Sequence, residues 1–166
     1  MTTQLTPYDA VLEHQFTHGL TDVQMSKVAA LATKVTFHED EVILVKGQRS
    51  EFFYLIVDGS ACVELRAARF TVCLQALGPG QAFGWSALLD HQDTLFQVRA
   101  REPMVTLCLN GSDLVQLCRT DPDLGVELLT RILKLVAGRV KATEERFAEM
   151  CGISMKSNDS KSLPRG

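Results

Sequence analysis

The sequence predicts a mainly β protein, a sandwich, jelly roll or barrel of short strands, with helices ahead of it and one long helix behind. Three observations carry this. Between Phe37 and Asn110, short apolar or alternating runs are separated by Gly47, Asp58-Gly59, Gly78-Pro79-Gly80 and Phe83-Gly84, the punctuation of strands joined by tight turns. On both flanks the apolar residues instead recur every three or four positions behind capping residues, as in helices. The 166 residues suffice for one well-cored domain with little left over. Residues 1–152 are expected to form it: helices over 7–34, the β region over 37–110 and helices over 112–150. The polar stretch 153–166 reads as a disordered tail.

Residues 7–18 predict a first helix, with Pro7 in the first turn and Gly19 as the stop. Thr21-Asp22-Val23-Gln24 has capping-box spacing and opens a second helix through about Lys34. His14 and His18 fall one turn apart on the outer face of the first helix. Two metal ligands use that spacing, but no third ligand is marked, and a solvated polar face is the expectation. Strands are expected at Glu41–Val45, Glu51–Val57, Ala61–Arg66, Phe70–Leu77, Phe96–Arg101 and Met104–Asn110. Of these, Glu51–Val57 is apolar almost throughout, as in a strand buried on both faces. A short helix then runs to Arg119, and Asp121-Pro122 opens the longest helix, to about Met150. Its apolar side is too wide for one contact: Leu124, Leu128, Ile132 and Leu135 form one stripe, and Leu129, Leu133, Val136, Val140 and Phe147 another. One stripe can cover the β region while the other meets a second subunit. A homodimer is therefore expected, with Leu128, Ile132, Leu135, Val136 and Val140 assigned to the interface. The alternative is that both stripes pack within one subunit.

Composition narrows the function. A net charge of -3 does not suit a general nucleic-acid surface. No basic-apolar leader and no membrane-length apolar run is visible, so a cytoplasmic protein without a membrane partner is expected. The five cysteines form no Cys-x-x-Cys pair. Cys62 and Cys73 fall opposite each other if Ala67-Ala68 is a two-residue hairpin loop. In a reducing cytosol two thiols are the expected state, with a disulfide or redox switch as the alternative. No metal centre and no catalytic set emerges. His14, His18, His38 and His91 lie at helix faces, a strand edge and a loop, unlike the converging ligands of a cupin-type enzyme.

The stretch Phe83-Gly84-Trp85-Ser86-Ala87-Leu88 is the candidate site. A glycine turn followed by a short helical turn presents backbone N–H groups suited to an anion. The alternative is a tight turn whose Phe83 and Leu88 plug a β core.

The order of elements, with Glu41-Val42-Ile43, Lys46-Gly47, Tyr54-Leu55-Ile56-Val57-Asp58-Gly59, Leu77-Gly78-Pro79-Gly80, Phe83-Gly84 and Val98-Arg99-Ala100, resembles the cyclic nucleotide-binding domain of catabolite-activator-type regulators, protein kinase A regulatory subunits and nucleotide-gated channels. The Gly84-Trp85-Ser86 version is similar to stand-alone bacterial proteins of that superfamily. The resemblance covers residues 10–150. It implies a jelly-roll β-barrel, a non-catalytic sensing or regulatory role, and a phosphate-binding cassette over Phe83–Leu88. The family cassette reads Phe-Gly-Glu-x-Ala-Leu, followed about ten residues later by Arg-Ser/Thr-Ala. The glutamate holds the ribose and the arginine the phosphate, which its forked donors suit.

Here Trp85 stands in place of the glutamate, and Thr94 (or Leu95, depending on a one-residue gap) in place of the arginine. Each lost charged contact costs about 2–5 kcal/mol, or roughly thirtyfold to several thousandfold in affinity. Ordinary cyclic AMP binding is therefore not expected. Arg99 lies on the opposite strand face from a position level with Thr94 and is expected to point outward. The resemblance also places Thr143 where the long helix of the bacterial regulators supplies a threonine to the adenine; a merely tolerated polar residue is the alternative. The expected ligand is a cyclic nucleotide or another small anion, with no further cofactor. Too few residues follow Gly152 for a helix-turn-helix domain, so direct DNA binding is not expected. The alternative function is a ligand-free interaction module with Trp85 plugging the former pocket.

Overall fold

The strand Phe52–Asp58 is apolar on both faces because both faces are covered. In a computed structural model of the chain, which describes residues 6–89, 93, 94 and 96–153, this strand is β3. It follows α1 (Pro7–Glu13), α2 (Asp22–Leu31), β1 (Ala32–Phe37) and β2 (Val42–Leu44). After it come β4 (Ala61–Arg66), β5 (Thr71–Leu77), β6 (Ala82–Phe83), a 3-10 turn at Trp85–Leu88, β7 (Gln97–Ala100), β8 (Met104–Asn110), α3 (Gly111–Thr120) and α4 (Pro122–Met150). The strands form two antiparallel sheets, ordered β1-β8-β3-β6 and β2-β7-β4-β5.

Side chains of β3 alternate between two cores. Phe53 and Leu55, with Leu107 and Leu109 of β8, face the helices and pack on Val11, Phe16, Val28, Leu114, Leu124 and Leu128. Tyr54 and Ile56 face the second sheet and pack with Val63, Phe83, Val98 and Met104. The result is three layers, helices over one sheet and that sheet over the other.

The expected barrel is instead an open pair of sheets among the described residues. Closure requires a continuous ladder around the ring. The edge strands β2 and β6 span only three and two residues.

Three local expectations are also corrected. The helix expected to reach Lys34 stops at Leu31 because Ala32 turns extended (φ -83°, ψ 131°), and the β-branched run Thr33–Phe37 pairs with β8 as a strand. The hairpin between β4 and β5 has a four-residue loop, closed by Ala67 N–H donating to Phe70 O at 2.9 Å. A bulge at Val63/Glu64 then sets Cys62 opposite Ala76, and Cys73 opposite Glu64. Cys62 and Cys73, expected as thiols, are joined as a diagonal disulfide with Cα atoms 6.0 Å apart.

The third correction concerns α1, which ends at Glu13 rather than near residue 18. His14 leaves the helix in extended conformation and is buried, not solvated. Its Nδ1 accepts the Phe16 N–H at 3.0 Å, and its Nε2 donates to Ile56 O at 2.9 Å. Both bonds suit the neutral ring, and burial pushes its pKa below 6.5 against the weaker opposing effect of the Ile56 carbonyl. The unfolded chain therefore takes up a proton first as pH falls, so stability is fully present above about pH 6.5 and declines below it, by at most ~1.4 kcal/mol per pH unit. Thermal unfolding between pH 8 and 5 should show this slope, and His14→Gln should flatten it. An identical slope in the variant would show that His14 does not set it.

Candidate functional site

The turn after β6 is shaped by its glycine. Gly84 sits at φ +83°, in the left-handed region, where a Cβ would lie 2.5 Å from Phe52 O. It starts the 3-10 turn, in which Ala87 N–H donates to Gly84 O at 3.0 Å and Leu89 N–H to Ser86 O at 3.1 Å. Phe83, just before it, is buried and stacks on Tyr54 with ring centroids 4.7 Å apart and planes 9° from parallel. Phe83 is thus core, as the tight-turn alternative expects, and the residues after it border a cavity.

That cavity measures about 170 Å³ and opens between the second sheet, the 3-10 turn and α4. Phe83, Gly84, Trp85, Ser86 and Thr94 line it, five of the residues singled out in the sequence. Trp85 is half-buried, also packs on the helical core, and forms one wall. A cavity remains beside it. Thr94 is held by its own loop, its hydroxyl donating to Phe96 O at 2.8 Å.

Three expected site residues are not brought there. Ala87 is buried beneath α3, where Gly111 leaves no room for a Cβ. Leu88 packs into the helical core. Thr143 does not line the cavity; its hydroxyl returns to Arg139 O at 2.9 Å, in line with the exposed side of α4. Leu95 and His91 lie outside the described residues. Arg99 donates to the buried Glu64 carboxylate at 3.2 Å and to Asp40 O at 2.8 Å, and it does not line the cavity.

The residue that sequence reasoning missed is Arg139. It lines the cavity from α4, donates from Nη2 to Ala82 O at 3.2 Å, and leaves its buried Nη1 without a partner among the described residues. Desolvation pushes its pKa below the ordinary guanidinium value. A buried guanidinium nitrogen with no acceptor is costly unless an acceptor is supplied. Its signal was present: Leu124, Leu128, Ile132 and Leu135 form the core-facing stripe, and position 139 continues it at helical spacing. An arginine on an inward stripe points at something polar inside. Asp93 also lines the cavity, so the site carries both signs of charge on an apolar wall of Leu44, Val63, Phe96 and Val98.

The interface assignment on α4 changes too. Leu128 and Ile132 are 0% and 8% exposed against the subunit's own core, and Leu135 packs partly on it. Leu128 and Ile132 thus face the subunit's own core rather than a partner. Leu129, Leu133, Val140 and Phe147 are exposed, with Val136 half-buried between them.

A two-sheet sandwich with a glycine-turn cavity capped by a long helix is the architecture of a ligand-sensing module. The cyclic nucleotide-binding domain model matches residues 34–121, more than half of the chain, and the protein belongs to that family. Domains of this family are regulatory rather than catalytic. The fold is similar to a cyclic nucleotide-binding domain from Methylobacillus flagellatus, at 18% identity and TM-score 0.76, over 92% of this chain and 86% of that one. It is similar to the catabolite activator protein of Thermus thermophilus, at 21% identity and TM-score 0.68, over 82% of this chain and 63% of that one. It also resembles the regulatory subunit of a cyclic-AMP-independent protein kinase A from Trypanosoma brucei, seen as a triple variant bound to cyclic AMP in its A site. That match has 22% identity and TM-score 0.65, over 88% of this chain and 48% of that one. No curated protein sequence matches the chain. Among the described residues, no helix is long and apolar enough to cross a membrane, and no group of three or more His, Cys, Asp or Glu could hold a metal.

Proposed function

We propose that this chain is a non-catalytic sensor whose cassette has kept its backbone and changed its ligand. The observation that carries this is the cavity beside Gly84, which remains open; by the family resemblance, Trp85 and Thr94 (or Leu95) take the places of the glutamate and the arginine. Among the described residues, the only cation in its lining is Arg139, on the helix. Ligand pockets for drug-sized molecules span roughly 300–1,000 Å³, whereas ~150 Å³ of apolar space holds benzene. At about 170 Å³ the cavity favours a small anion with an apolar body over a nucleotide. Such an anion would engage Arg139 and bias α4, provided it binds the two helix positions unequally.

Trp85 is the sole tryptophan and stands in the cavity wall, so its fluorescence reports occupancy directly. Calorimetric and fluorescence titration with cyclic AMP, cyclic GMP and cyclic dinucleotides should show no micromolar binding. Benzoate-sized carboxylates should quench Trp85, and Arg139→Gln should abolish the response. Micromolar binding of cyclic AMP would overturn the reading.

The same proposal makes the module a homodimer through α4. Val126, Leu129, Leu133, Val136, Val140, Thr143, Phe147 and Met150 are spaced alternately three and four residues apart, the heptad repeat of a two-helix seam. Five of the six large apolar residues at 126, 129, 133, 140, 147 and 150 are more than half exposed, and Val140 is 50% exposed. A cytoplasmic setting and the absence of direct DNA contact belong to this proposal as well, supported by the acidic charge balance.

A further inference from the structure

On the other side of Arg139 lies a second, larger cleft of about 480 Å³, between the end of β5, the turn into β6, the segment after α1, and α4. Its polar walls are Gln15, Gln75 and Gln81 on one side and Arg131, Lys134 and Arg139 on the other. No aspartate or glutamate lines it among the described residues. Three buried side-chain atoms lack a hydrogen-bond partner among the described residues, namely Gln75 Oε1, Arg131 Nε and Arg139 Nη1, and all three belong to residues that line this cleft. Single orphaned groups are commonly satisfied by ordered water. Two unpartnered guanidinium donors beside an unpartnered amide acceptor, in a cleft lined by three cationic side chains and by no carboxylate among the described residues, ask for something more specific. The donors need an anion, and the acceptor needs a hydroxyl or amine.

Arg131 is already fixed in place. Its Nη1 donates to Phe16 O at 3.1 Å and His18 O at 2.9 Å, and its Nη2 to the Glu127 carboxylate at 3.4 Å, which leaves Nε for a ligand. Lys134 is exposed at the rim, where a flexible ammonium can follow an incoming charge. The cleft volume falls within the range of roughly 300–1,000 Å³ typical of small-molecule sites.

We propose that this cleft binds a phosphorylated, hydroxylated small molecule, its phosphate held by Arg131, Lys134 and Arg139 and its hydroxyl groups by the amides of Gln75 and Gln81. Because Arg139 forms part of both walls, occupancy of the cleft is felt at the cassette cavity through one side chain. The cleft does not depend on the ligand proposed for that cavity, and the two fail separately.

Ribose 5-phosphate is the probe, with ribose as its uncharged control. Titration of the full chain should give saturable binding of ribose 5-phosphate that weakens as salt rises, and none of ribose. Lys134→Glu, at an exposed position that leaves the fold intact, should weaken binding about tenfold or more, and Gln75→Leu should weaken it without altering the salt dependence. Backbone amide shifts on titration should centre on Gln75, Gln81 and Gly138. No binding at millimolar ribose 5-phosphate, equal affinity in Lys134→Glu, or shifts centred on Gly84–Ser86 would each overturn the proposal.

Discussion

Introducing the two charges that the family resemblance assigns to these positions, by Trp85→Glu together with Thr94→Arg, is expected to raise affinity for cyclic AMP by at least thirtyfold over the parent chain. Each charged contact to a buried anion or its ribose is worth about 2–5 kcal/mol, and a gain of ~1.4 kcal/mol is tenfold. The backbone that would present them is in place, since Gly84 holds its left-handed turn and the 3-10 turn follows it directly. Trp85→Glu also removes the indole wall and enlarges a cavity of about 170 Å³ toward nucleotide size. Thr94→Arg gives up two hydroxyl hydrogen bonds, one donated to Phe96 O and one accepted from Phe96 N–H, each a net contribution of roughly 0.5–1.5 kcal/mol, which the new contact offsets. Thr94→Arg alone should recover part of the gain, because the arginine meets the phosphate without the glutamate. Calorimetry on the two variants tests this. A folded double variant with no gain would show that the cavity, not its charges, excludes the nucleotide.

The strands were legible because turn chemistry separates them: Asp58-Gly59 and Gly78-Pro79-Gly80 mark real turns, and β4 and β8 begin and end where expected. What escaped was decided by contacts distant in sequence. Thr33–Phe37 continues a helical pattern, and only pairing with β8, some seventy residues later, makes it a strand. His14 leaves α1 because Ile56 O, on a neighbouring strand, accepts its ring N–H. The disulfide hinged on loop length, since two extra loop residues and a bulge changed which residue faces Cys73. In the site, the cassette turn was readable as a local motif. Arg139 was not, because its meaning comes from the cavity that α4 covers rather than from its neighbours in the chain.

The largest effects on assembly and stability are expected on α4, where two leucines five positions apart should behave in opposite ways. Leu128 is 0% exposed beneath β3 and β8, and Leu133 is 67% exposed on the seam. Leu128→Ala deletes core volume that the surrounding side chains refill only in part, which costs about 2–5 kcal/mol and lowers the unfolding midpoint. Leu133→Asp deletes no contact within the subunit, so each chain should keep its fold. It places a carboxylate at the centre of a heptad seam, where a second copy would bury it unpaired against its symmetry mate. Sedimentation should therefore find Leu133→Asp monomeric at concentrations where the parent is dimeric, with far-ultraviolet dichroism unchanged. Leu128→Ala should sediment as the parent does below its lowered melting point. A monomeric parent would remove the case for the seam, and a Leu133→Asp chain that unfolds would place that side chain inside the subunit. Val140 and Phe147 continue the same seam on either side of Thr143, whose hydroxyl is turned back to Arg139 O. Arg139, which lines the cavity, thus lies on the same stretch of helix as the residues that would face a partner in the proposed dimer, and a shift of α4 at Arg139 would reach the seam within one turn.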